Sequence, residues 1–254
     1  MSMNSKKNNE IKIDINEPLS TCLDKFTGGT GNVEDRKRLL FEQFELLAKK
    51  MIFGGFFKVR EDYAIFIDTV EFYFYDERSE ASINDEIVYH RNGRFDFRNE
   101  KNETMSAELP YFPKMTLHAH WSGIDITFEN PKEQYRASAL IRRYVVFDIK
   151  QKKYIKLDTT NKRDKRDVGR MVFQDEPYID KRSTYLQYFL NGFSADADKS
   201  TVFWKGIDII GDPRLKDNDH VRQHAKPNDW AFSGEGTEAY IKDCIKTNRI
   251  EIFY

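Results

Sequence analysis

Three short stretches of this 254-residue chain carry side chains able to do chemistry. The first, YAIFIDTVEFYFY at residues 63–75, is an aromatic and β-branched run interrupted by two acids, Asp68 and Glu71. Strand alternation puts Ile65, Ile67, Thr69, Glu71, Tyr73 and Tyr75 on one face and Phe66, Asp68, Val70, Phe72 and Phe74 on the other. An acid in that setting either sits at the solvated margin of the strand or is held in a pocket suited to base chemistry. Glu71 has Tyr73 beside it on its own face, which adds an aromatic wall and a hydroxyl. The second stretch, TLHAHWSGIDITF at 116–128, offers an HxH pair. On one strand His118 and His120 share a face, and with Asp125 they would make a three-ligand metal site of hydrolytic type. The other reading is a packed or hydrogen-bonded HxH, since no HxxxH or His-Cys constellation completes a metal set, and no metal is expected. The third, YHRNGRFDFRNE at 89–100, mixes His90, Arg91, Arg94 and Arg98 with aromatics. It reads as a basic surface loop or as residues that contact phosphates and stack on bases. Other chemistries lack their motifs. Ser122 has no GxSxG elbow, there is no GxxxxGK[ST] loop, and GGTGN near the start lacks the strand-then-helix context of a dinucleotide fingerprint.

The elements that must position these groups are legible from periodicity. Residues 1–31 are polar, end in KFTGGTGN, and are expected to form a flexible arm. Asn32 can cap a helix with Asp35 in its first turn, and Leu40, Phe44, Leu47 and Met51 form one apolar stripe. Gly54 and Gly55 end it. A turn at Glu61 and Asp62 then joins two antiparallel strands, the second being 63–75. Further strands are expected at 116–128 and 139–149, joined by ENPKEQYR, and at 249–254. Helices are expected at 183–191 and 237–246, and a strand plus loop at 206–219. Strands and helices without regular alternation predict a single α+β domain over 32–254, its sheet curved and largely antiparallel.

Composition narrows the class. With 39% hydrophobic and 14% aromatic residues the chain can bury a core, although its mean hydropathy is −0.71. No run approaches the roughly 18 apolar residues of a spanning helix, and MSMNSKKNNEIKIDINEP has no signal-peptide core, so a cytoplasmic location and no membrane partner are expected. Cys22 and Cys244 form no CxxC spacing, which speaks against a disulfide framework or cysteine zinc site. The 41 basic and 42 acidic residues nearly cancel. Distribution matters more than the sum. Residues 150–170 read KQKKYIKLDTTNKRDKRDVGR, where nine Lys or Arg face three Asp. That excess is either a solvated loop or a patch able to neutralise several phosphates.

Taken in order, the clusters resemble the motif series of the alkyladenine (3-methyladenine, methylpurine) DNA glycosylase family. Its strand V-E-T-E-A-Y is matched by IDTVEFY at 67–73, and its H-S-R-G-G-R-x-T-x-R-N by HRNGRFDFRN at 90–99. Its P-G-T-L-Y-V-Y followed by Y-G is matched by PKMTLHAHWSG at 113–123, and its V-L-L-R strand by SALIRRY at 138–144. The resemblance covers about residues 36–147, with a faint echo at STYLQYFLNGF and the terminal strand.

The resemblance implies a methylpurine-glycosylase-like fold and a monofunctional enzyme of base excision repair without cofactor. It would bind duplex DNA as a monomer, flip a damaged or modified purine, and hydrolyse its N-glycosidic bond. Glu71 would be the water-activating general base, and Tyr73, His90 and Arg142 would line the base pocket. Arg91, Arg94, Arg98, Lys152, Lys153, Arg163, Lys165 and Arg166 would meet the backbone. The chain departs from the family at three places. His120 stands where the family stacks a tyrosine, and Trp121 or Ser122 where a tyrosine wedges into DNA. The base-selecting asparagine has no clear counterpart, with Asp125, Thr127 or Glu129 nearby. An acid there would favour a base edge bearing N–H donors. The insertion between Glu71 and His90, rich in acids, would crowd the site. The alternatives are a non-catalytic relative that binds nucleic acid or a nucleotide, and an unrelated metal-dependent hydrolase built on the HxH strand.

Overall fold

A computed structural model describes residues 11–15, 31–60, 62–78, 94–108, 110–112, 114, 116–120, 123–158, 170–194, 202–206, 221–223, 230–247 and 250. Helix α1 spans Val33–Phe53 and starts as its sequence predicts: the Asn32 side chain accepts the Asp35 N–H at 2.9 Å, and Glu34 and Asp35 occupy the first turn. The Gly54 N–H closes the helix on the Lys50 carbonyl. The expected stripe of Leu40, Phe44, Leu47 and Met51 is buried along its whole length.

Among the described residues the strands are β1 (Ile11–Ile15), β2 (Gly55–Val59), β3 (Tyr63–Asp76), β4 (Arg94–Arg98), β5 (Thr104–Glu108), β6 (Thr116–His120), β7 (Gly123–Thr127), β8 (Tyr135–Asp148), β9 (Lys153–Asp158), β10 (Arg170–Gln174), β11 (Val202–Gly206), β12 (Val221–Gln223) and β13 (Ala231–Gly234). Helices α2 and α3 span Ser183–Ser194 and Thr237–Lys246. Eleven strands form one sheet in the order β10-β9-β8-β7-β6-β1-β11-β2-β3-β13-β12, and β3 also pairs with β8. That extra pairing curls the sheet back on itself. Among the described residues its ladders are antiparallel except β1 with β11. The fold class is therefore α+β with a curled, largely antiparallel sheet. Strands β4 and β5 form a separate two-stranded hairpin.

Two expectations need correction. Residues 11–15 of the supposed arm are not loose: they pair with both β6 and β11 and help close the main sheet. The stretch 116–128 is not one strand but the hairpin β6–β7, with Leu117 opposite Ile126 and His118 opposite Asp125. The reversal was hidden because Trp121 and Ser122 lack the Asn-Gly or Asp-Gly signature of a two-residue turn. Gly123, just after it, has φ of +148°, and a Cβ there would collide with Ser183 at the start of α2. The expected strand at 249–254, apart from buried Ile250, and residues 207–219 of the expected strand plus loop lie outside the described residues.

The two faces of β3 meet different helices. On one, Phe72 stacks on Phe44 of α1 with ring centroids 4.6 Å apart and also meets Phe128 and Phe232. Leu117, Ile126 and Ala139 lie in the same cross-strand row as Phe72 and are buried with it. On the other, Tyr63 packs edge-on against Phe189 of α2, and the Tyr144 hydroxyl donates to the Arg182 carbonyl just before that helix. Helix α3 is tied to α1 by the Tyr240 hydroxyl, which donates to the Phe53 carbonyl at 2.7 Å.

Candidate active site

On the α2 side of the sheet the register lines up His118, Asp125, Leu140 and Glu71 across β6, β7, β8 and β3. A parallel row one step along contains Thr127, Ser138 and Tyr73. With strands about 4.8 Å apart, Glu71 and Asp125 stand about 10 Å apart at Cα, with Leu140 between them. Polar groups thus concentrate where the opposite face of the same strands carries Phe72, Ala139 and Ile126. Period-two alternation alone separates the two surfaces.

Arg142 joins the groups on β3 and β8. The ladder is irregular at this point, with Asp68 and Arg142 out of Cα register between Ile67 and Val70. Such irregularities re-aim side chains. Here the Arg142 guanidinium passes along β3 to form an ion pair and hydrogen bond with Glu71, while its Nη2 donates to the Tyr73 hydroxyl at 3.2 Å. The Arg142 and Glu71 side chains keep 41% and 19% of their exposure, so the pair borders solvent. Burial alone would lower the Arg142 pKa, but the hydrogen bond and charge of Glu71 outweigh it and hold the guanidinium above its ordinary value. The Tyr73 hydroxyl is raised, first by its own burial and then by the neighbouring Glu71 charge. It therefore stays a neutral phenol able to donate or accept.

Asp125 is the second acid of this face. Its Oδ2 accepts the Ser138 hydroxyl at 3.2 Å. Of the three acidic or hydroxyl residues weighed for base selection, Asp125 stands in the Glu71 row and Thr127 in the next, while Glu129 is bound elsewhere. The Glu129 carboxylate is buried, accepts the Phe112 N–H at 2.6 Å and faces Arg136 at 3.4 Å. Ser138 and the Phe112 ring, which lies 4.0 Å from the His118 ring, were not singled out from sequence. Ser138 was within reach, since it lies four residues before Arg142 on one strand and so on its face. Phe112 was not, because its position depends on a tertiary contact.

The other predicted residues are dispersed or lie outside the described part. The His120 backbone ends β6 opposite Gly123, but its side chain, together with His90, Arg91, Trp121, Arg163, Lys165 and Arg166, lies outside the described residues, as does the Arg94 side chain. Arg98 donates to the Asn102 side chain and carbonyl within the β4–β5 hairpin. Lys152 is exposed in the β8–β9 turn with φ of +54°. Lys153 is ion-paired with Asp175, and nearby Lys150 with Asp62. Part of the basic segment is thus strand β9 with partnered lysines, not one solvated loop. Among the described residues no three His, Cys, Asp or Glu side chains converge at metal distance.

No family model matches the chain, and neither a curated protein nor a solved structure matches it.

Proposed function

We propose that the chain is a monofunctional DNA glycosylase of the methylpurine type, hydrolysing the N-glycosidic bond of a damaged or modified purine held on the Glu71 face. One observation carries the reading. Glu71 and Arg142, 71 residues apart and drawn from two separate motifs of the resemblance, meet as an ion pair with Tyr73 in the same hydrogen-bonded group. A carboxylate offers about four lone-pair directions, so one held by Arg142 and Tyr73 can still accept from a water. In the proposed reaction Glu71 takes a proton from that water as its oxygen bonds to the anomeric carbon. The C–N bond breaks, its electron pair leaves with the base, and an abasic site remains. A cationic alkylated purine leaves neutral, and a neutral one must be protonated as it departs. Asp125 faces the same space and would accept N–H donors from a base edge.

The test offers the full chain duplexes carrying hypoxanthine or alkylated purines and measures abasic-site formation. We expect release from at least one lesion and loss of at least about a hundredfold in Glu71→Gln, the size of a general-base contribution. Release unchanged in Glu71→Gln overturns the mechanism. Lesion-selective binding without release supports instead a non-catalytic reader built on the same face.

A further inference from the structure

Residues 110–112 are gripped one after another by a buried charged cluster that takes no part in the Glu71 chemistry. Arg136, 3% exposed at its side chain, donates from Nε to Glu77 at 2.6 Å and from Nη1 to the Pro110 carbonyl at 3.1 Å. Its guanidinium lies 4.2 Å from the centroid of the Tyr111 ring, and the Tyr111 hydroxyl donates to Glu77. Glu129, fully buried at its side chain, accepts the Phe112 N–H. Burying an arginine and a glutamate together is an inefficient way to gain stability, because desolvation offsets most of the attraction. What the cluster does achieve is placement. It fixes the backbone of three consecutive residues, and at the end of that segment the Phe112 ring lies against His118, 31° from parallel. His118 in turn stands opposite Asp125 in the row that ends at Glu71.

We propose that Glu129 and Arg136 are positioning residues that hold Phe112 against His118, and that this ring pair is the selective wall of the site on the side away from Glu71. The second half of the inference rests on the function proposed above; the first half does not. A wall of two fixed rings selects planar ligands by the rim of the heterocycle that it admits. Loosening it should therefore degrade discrimination between bases while leaving the bond-breaking machinery at Glu71, Arg142 and Tyr73 in place.

The two halves are read separately. The chain has five histidines, so the imidazole C–H resonances can be assigned by substitution. We expect Phe112→Leu, which removes the ring and no charge, to shift the His118 resonance, and Glu129→Gln to shift it in the same direction. Glu129→Gln leaving His118 unmoved, while Phe112→Leu moves it, overturns the positioning role even if the enzyme is active. For selectivity, KM and kcat are measured on lesion and undamaged duplexes. The expected result for Phe112→Leu is a several-fold rise in KM for the preferred lesion with kcat within about twofold. A fall in kcat with unchanged KM overturns the wall. If wild-type protein discriminates no lesion while the His118 shifts appear as expected, the proposed function fails and the positioning device stands.

Discussion

Two carboxylates on strand β3, five residues apart, are each bound by arginine, and the structure treats them oppositely. Asp76 is fully buried and saturated: it pairs with Arg36 of α1 and accepts the Arg78 backbone N–H at 2.9 Å and its guanidinium at 3.1 and 3.3 Å. Burial, and then the charge of Arg78, push the Arg36 pKa down, so this pair is an enclosed joint between α1 and the end of the sheet. Glu71 has one arginine and one tyrosine, and its pair with Arg142 keeps an open side. Under the proposed function, this contrast is what separates a structural acid from a usable one. Both carboxylates are bound by arginine, but the Glu71 side chain keeps 19% of its exposure where Asp76 keeps none.

Removing the carboxylate charge should split the two sharply. Asp76→Asn leaves Arg36 buried without its counter-charge, and breaking a buried pair from one side costs about 3–5 kcal/mol. We expect the chemical denaturation midpoint to fall accordingly. Glu71→Gln breaks a half-exposed pair and should change stability by no more than about 1 kcal/mol while abolishing base release. Denaturant melts of both variants, run beside the abasic-site assay, check the contrast. Equal destabilisation by the two would erase it.

Smaller effects sharpen the comparison within the Glu71 group. Tyr73→Phe removes the hydroxyl that accepts from Arg142 and keeps the buried ring. A single hydrogen bond of this kind is worth about 1 kcal/mol. The expected loss in kcat is thus roughly fivefold, far below that of Glu71→Gln, with the melting curve nearly unchanged. A loss as large as that of Glu71→Gln would move the proton-transfer role toward Tyr73.

How much of this was readable beforehand depended on whether a local rule governed the residue. The cap at Asn32, the stripe through Phe44 and Met51, and the two faces of β3 follow from periods of 3.6 and 2 and appear as expected. No spacing rule connects Glu71 with Arg142, 71 residues away; they meet because β3 pairs with β8, a tertiary pairing that local periodicity does not specify. The β6–β7 reversal was missed for want of a turn signature, and the strand at 11–15 because a short polar-apolar alternation in a charged segment looks like an arm until a partner strand is known. The Arg136 cluster was invisible for a different reason. Its members Glu77, Tyr111, Glu129 and Arg136 come from four separate places and meet only when β3 and β8 are already paired.

The finest distinction between the site and its surroundings concerns tyrosine ionisation at high pH. Burial, then the hydrogen bond and charge of Glu77, push the Tyr111 hydroxyl up to about 12, while burial and then the Glu71 charge raise Tyr73. In the unfolded chain both would ionise near the ordinary value of 10. The folded state therefore holds protons that the unfolded state has released. Their contribution to stability is complete below pH 10 and is lost as pH rises through the folded values. For Tyr111 that window runs from 10 to about 12. We expect the stability of the wild-type protein to decline there, and the decline to be shallower in Tyr111→Phe, which has no hydroxyl to ionise. Burial is unchanged in Glu71→Gln, but the carboxylate charge that repels the phenolate is gone, so Tyr73 should ionise at lower pH in a 295 nm absorbance titration. An unchanged or upward Tyr73 titration in that variant would break the electrostatic link between the two residues on which the site's arrangement depends.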